Sequence, residues 1–197
     1  NSTKGTAIAG TVSGTSITFE PAFVFEEGNT GDIYGLIAYD PDQNKTIIGY
    51  ADGGDSDKGK AVVYSTASAV LTAENYVGMS GGPVKITGTA GGTGSETVFE
   101  QATSRYVASA YDTNTNRVVI AYADVGNSSY GTAIVGTVSG TSISFGTAVV
   151  FETAEVQDVA ITFDSNSNKI VIAYADEGNS SHGTAIVGTV SGTAISF

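Results

Sequence analysis

The chain has 197 residues with no Cys, no Trp and 26 Gly, and its 20 Asp plus Glu outweigh 8 Lys plus Arg for a formal net charge of −12. This composition excludes disulfides and thiolate metal sites. It argues against sequence-independent nucleic-acid binding, because the few cations are not clustered, and no apolar run of about 18 residues is available for a membrane-spanning helix.

The first recognisable element is GTAIAGTVSGTSITF at residues 5–19, which returns nearly unchanged at 131–145 and 183–197. The last two copies start at Gly131 and Gly183, a period of 52 residues, so one supersecondary unit is used repeatedly. DIYGLIAYD (32–40) and TIIGYAD (46–52) read as strands around an Asp/Asn-rich turn. The loop 51–59, ADGGDSDKG, leads to the next strand. Between Gly59 and Gly131 the interval grows to 72 residues. The extra residues fall in a Gly-rich stretch near 67–98, expected to be a longer loop or an added hairpin. RYVASAYD (105–112) and VVIAYAD (118–124) repeat the earlier strand pair.

The last full unit is clearest. GTAIVGTVSG (131–140), SISFGTAVVFE (142–152), VQDVAITFD (156–164) and KIVIAYAD (169–176) are strands joined by short turns. Such a pattern predicts a four-stranded antiparallel meander. No segment shows helical periodicity. The expected fold is all-β, a β-propeller-like array of four-stranded antiparallel meanders, with a stacked β-sandwich or β-solenoid as the alternative. The repeats run over about 5–58, 59–130 (with the insert), 131–182 and a partial 183–197. NSTKG at the start matches NSSYG and NSSHG at mid-repeat, so 1–197 reads as a single repeat domain cut from a longer array.

The most repeated polar pattern follows the AYAD strand. Its oxygens at alternate positions suit Ca²⁺, which takes six to eight oxygen ligands. The candidate ligands are Asp52, Asp55, Asp57, Asp124, Asn127, Asp176 and Asn179. The pattern fixes no distal bidentate Glu, and the same residues read first as a structural turn, with Asp and Asn bonding their own backbone and Gly supplying positive φ. A second acidic turn, at Asp40, Asp112 and Asp164, reads as a hairpin with Asx bonding. His182 stands where other copies carry Tyr130 or Lys58, which marks a solvated loop position. Glu26 and Glu27 are neighbours that point apart, unlike the paired carboxylates of a glycosidase. No GxSxG elbow or phosphate loop is present, so no catalytic residue is assigned. The ten tyrosines fit packing between units, with sugar stacking as the other use of such rings.

The repeat AYAD-x-GNSS-x-GTAIVGTVSGTSISFGTAVVFE resembles tandem repeats of large virion-associated and tail-fibre proteins of marine bacteriophages. The insert LTAENYVGMSGGPVKITGTAGG resembles a short β module that recurs in phage tail fibres. The resemblance covers nearly the whole chain. It implies a non-enzymatic virion surface component for host attachment, partnered by other fibre subunits in an oligomer and by a host glycan or receptor. Glu74, Asn75 and Tyr76 of the insert are then the candidate ligand-binding residues. A secreted lectin or adhesin stabilised by Ca²⁺ is the alternative, with a glycan-cleaving propeller third.

Overall fold

The computed structural model describes residues 4–30, 37–65, 68–70, 87–89 and 92–197. Among these, no α-helix occurs, and the strands are joined by antiparallel pairing throughout.

A half unit comes first: β1 (Gly5–Ala7), β2 (Gly10–Ser13), β3 (Ser16–Phe19) and β4 (Phe23–Glu26). β2 pairs with β3 and β1 with β4, so two long strands are each interrupted once. The first full unit holds β5 (Ile37–Asp40), β6 (Lys45–Asp52) and β7 (Lys58–Ser65). A small hairpin follows, β8 (Ser68–Val70) with β9 (Thr87–Thr89). β10 (Gly92–Thr93) then returns to β7, and β11 (Thr97–Asp112) continues. The second unit adds β12 (Arg117–Asp124), β13 (Tyr130–Ser139), β14 (Ser142–Phe145) and β15 (Val149–Asp164). The third adds β16 (Lys169–Asp176), β17 (His182–Ser191) and β18 (Ala194–Ser196).

β11 and β15 join one unit to the next. The first half of β11 pairs back onto β7, and its second half becomes the first strand of the following meander on β12. β15 does the same between β13 and β16. Each long strand bends where its register slips, at Tyr106 (φ 49°) and Asp158 (φ 50°). A left-handed non-glycine residue costs about 1–3 kcal/mol, and here the bend carries the strand from one meander of the sheet into the next.

The meanders form one continuous antiparallel sheet in the order β18-β17-β16-β15-β13-β12-β11-β7-β6-β5, and the bends fold it so that successive meanders share buried cores. Val118, Ile120 and Tyr122 of β12 belong to the core shared with the first unit, whereas Val119, Ala121 and Ala123 belong to the core shared with the third. Both faces of this strand are buried, which is why its sequence is apolar throughout instead of alternating. At each junction a Phe from one unit packs on a Tyr of the next. The pairs are Phe25–Tyr50 at 5.3 Å, Phe99–Tyr122 at 5.3 Å and Phe151–Tyr174 at 5.2 Å between ring centroids. Gly131 is required by this packing, since a Cβ there would lie 2.4 Å from the Phe151 ring.

The structure narrows the insert. Gly94 N donates to Val63 O at 2.9 Å, as Gly146 N donates to Val135 O at 2.9 Å. Gly94 and Gly146 are one 52-residue period apart. The repeat has therefore resumed by Gly92, and the added residues lie between Ser65 and Gly92, not out to residue 98. The hairpin β8–β9 lies within them.

Candidate functional site

Every junction between units carries the same polar cluster. A Tyr two residues before the end of a β6-type strand meets a Glu that directly follows the junction Phe. Tyr50 Oη donates to Glu26 at 3.3 Å, Tyr122 Oη to Glu100 at 3.1 Å and Tyr174 Oη to Glu152 at 3.1 Å. The other oxygen of each Glu accepts a backbone N–H two residues on, from Gly28, Ala102 and Ala154. The strand geometry explains the meeting: Tyr and Phe share the buried face, and the next residue, Glu, reaches the rim where the phenol ends. Burial and the neighbouring carboxylates raise all three tyrosines above the ordinary phenol value, Tyr174 to about 12. They stay protonated donors at neutral pH.

The strand-ending Asp lies close by. In the second unit, burial and then the charge of Glu100 raise the Asp124 carboxyl above its ordinary value, despite a hydrogen bond from Asn127 N at 3.2 Å. In the third, Asp176 is buried and its Oδ1 has no hydrogen-bond partner. The first unit differs at two positions of this cluster, Lys60 and Glu96, the latter standing where the next copy has Ala148. Lys60 stands where the later copies have Thr132 and Thr184, and its ammonium pairs with Asp52 and, at 2.8 Å, with Glu96. Burial alone would raise Asp52, but Lys60 and the Gly54 N–H, at 2.8 Å, outweigh it and hold the carboxyl below its ordinary value. Lys60 is raised in turn: burial would lower it, and the bonds to Asp52 and Glu96 prevail.

The carboxylates of Glu26, Asp52 and Glu96 lie within 4.8 Å of one another, close enough to share a cation. Lys60 donates into this group, so an ammonium already supplies much of the positive charge that a metal would bring. This is not the set read from the loop. Asp55 pairs with Lys58 at 3.0 Å and reaches the Lys60 ammonium at 4.0 Å from outside the carboxylate group, and Asp57 takes a left-handed turn position (φ 54°). Asp124 caps a short 3₁₀ turn, Val125–Asn127, through Asn127 N. Asn179 closes the matching turn Glu177–Asn179 and is exposed. The structure thus brings Asp52 alone of those seven into the carboxylate group. Glu74, Asn75 and Tyr76 lie outside the described residues.

The loop also corrects the expected role of glycine. Its left-handed residues are Ser56 and Asp57, Ser128 and Ser129, Ser180 and Ser181. Glycine is needed there for room, since a Cβ on Gly126 would lie 2.4 Å from the Ala102 Cβ and one on Gly178 2.5 Å from that of Ala154. The second acidic turn behaves as expected. Asp40, Asp112 and Asp164 each accept from the backbone N–H two residues on, and Asn44, Asn116 and Asn168 adopt positive φ. His182 is exposed at the start of β17.

From sequence, Glu26 is named only beside Glu27 and none of these glutamates is assigned a junction role, although the signal is present: Val-Phe-Glu recurs at 24–26, 98–100 and 150–152. In comparisons with known proteins, no family model, curated protein or solved structure matches this chain.

Proposed function

We propose that the chain is a non-enzymatic scaffold, a propeller-like stack of four-stranded sheets that presents the insert between Ser65 and Gly92 as a recognition surface. The observation that carries this reading is how the unusual titratable groups are used. Tyr50, Tyr122 and Tyr174 occur once per unit and bridge adjacent units through Glu26, Glu100 and Glu152. Residues repeated in every junction and tied to one another serve packing; a catalytic centre needs a unique constellation with a free base or nucleophile. The one departure from the repeat of this length is the insert, and recognition concentrates in loops on rigid scaffolds. With the resemblance to phage fibre repeats, the setting is a virion or extracellular surface, with a host glycan or receptor as ligand and other fibre subunits as partners.

The calcium-stabilised lectin or adhesin draws its support from Glu26, Asp52 and Glu96. Lys60 weighs against it, because a cation entering there must displace an ammonium already held by two carboxylates.

Replacing residues 66–91 by a Ser-Gly turn, like the one joining β13 to β14, tests the recognition role. The shortened protein is expected to melt within a few degrees of the intact chain while losing binding on a glycan array and to bacterial surface preparations. Equal binding by the two proteins would overturn the assignment.

A further inference from the structure

The second unit shows what a sheet of this sequence looks like with neighbours on both sides, and the outer units show what each face lacks. The rear face of the second unit consists of Val119, Ala121, Ala133 and Val135, all fully buried against the third. The third unit repeats this face as Val171, Ala173, Ala185 and Val187. There it is largely open: Ala173 and Ala185 are exposed, Val171 is half-buried, and Val187 is 55% exposed where Val135 is 0%.

The opposite face is open on the half unit. Val138 with Ile143, and Val190 with Ile195, are the residues by which the second and third units pack onto the unit before them. The half unit carries the same residues as Val12 and Ile17, flanked by Ile8 and Phe19. Val12 is 69% exposed, against 6% for Val138 and 8% for Val190, and Ile8, Ile17 and Phe19 are exposed as well. The rear of the half unit is already occupied, with Phe25 packed on Tyr50 and Phe23 stacked on Tyr64 at 4.3 Å.

We propose that two copies of this chain associate head to tail, the Ile8–Val12–Ile17–Phe19 face of one half unit docking on the Val171–Ala173–Ala185–Val187 face of a second copy's third unit. The occupant is specified by continuity with the interface inside the chain. The same two residue sets already meet between the second and third units, where Val190 and Ile195 cover Val119, Ala121 and Val135. A partner matching this surface is therefore encoded in the chain itself. Such an interface is heterologous, so it leaves one free face at each end of a dimer and extends into a ring or filament. The net charge of −12 opposes association, so added salt strengthens it by screening. The inference does not rest on the recognition role of the insert.

Val12→Glu and Val187→Glu each place a charge on one face at an already exposed position, so both variants keep the wild-type circular dichroism and melting curve. Light scattering coupled to size exclusion should show the parent chain growing in mass with concentration, and each variant alone as a monomer. Mixing the two variants should restore association but stop at a 1:1 dimer, because each variant retains one intact face. A monomeric parent chain at all concentrations, or a mixture that stays monomeric, would overturn the proposal. So would loss of association in Val187→Glu with none in Val12→Glu, which is the signature of a back-to-back dimer.

Discussion

Replacing Lys60 by Ala lowers the stability of the fold by about 3–5 kcal/mol at pH 7, because it leaves buried Asp52 without its cation and facing Glu26 and Glu96. The pH dependence distinguishes this from simple loss of packing. Asp52 is held below its ordinary value in the folded chain, so it stabilises the protein above the unfolded carboxylate value of about 4. That contribution is lost as pH falls through the depressed folded value. Lys60 is raised, so its contribution is complete below its unfolded value of about 10.5 and is lost as pH climbs past that toward the folded value. The parent chain therefore keeps this pair between those limits. In Lys60→Ala the clustered carboxylates repel, and stability should rise as pH falls from 7 toward 5. Urea titrations across that range read the crossover. Asp124 supplies the contrast, since its raised carboxyl already costs stability at neutral pH. Asp124→Asn, which keeps an acceptor for Asn127 N, is expected to be neutral or stabilising by up to about 1 kcal/mol. A large loss in Asp124→Asn, or an acid-labile Lys60→Ala, would refute the electrostatic account.

Tyr122→Ala should cost about 3–5 kcal/mol, since the side chain is fully buried and its ring packs on Phe99. Tyr122→Phe isolates the hydroxyl. It keeps the ring and leaves the Glu100 oxygen without its donor, for about 1–3 kcal/mol. Tyr39 is a useful control. It is half-exposed and its hydroxyl donates to the exposed turn residue Asn44 at 2.8 Å, so Tyr39→Ala is expected to fall within about 1 kcal/mol of the parent. Thermal and urea unfolding of the three variants reads this order. A Tyr39 effect as large as that of Tyr122 would mean that the junctions between units are not where stability resides.

Much of this architecture was legible in the residues. The 52-residue period gave the unit, the alternation in VQDVAITFD gave a strand, and Asn in the hairpin turns matched its tolerance of left-handed backbone. The Tyr–Glu pairing was not legible, because its members are 22 to 24 residues apart and meet only once adjacent units stack. Lys60 shows the same limit. In sequence it is one of four changes between GKAVVYS and GTAIVGT, and only the fold brings it between Asp52 and Glu96. The glycines of the AD-x-GNS loop were assigned to backbone freedom, whereas the constraint is the approach of Ala102 and Ala154 from the neighbouring strand. Local chemistry fixes turns and strands; contacts between units decide what the polar residues do.

Successive meanders share buried cores, so that burial, not local sequence, sets each unit's stability. Val119–Ala123 and Val171–Ala175 are both Val-Ile-Ala-Tyr-Ala, and both strands are hydrogen-bonded on two sides. They differ in that the first is covered on both faces and the second on one. Native-state hydrogen exchange on dilute Val12→Glu protein, whose substitution touches neither strand, compares them with matched intrinsic rates. The stacked arrangement predicts that amides of Val119–Ala123 exchange at least about tenfold more slowly than those of Val171–Ala175. Equal protection in the two segments, or the reverse order, would contradict it.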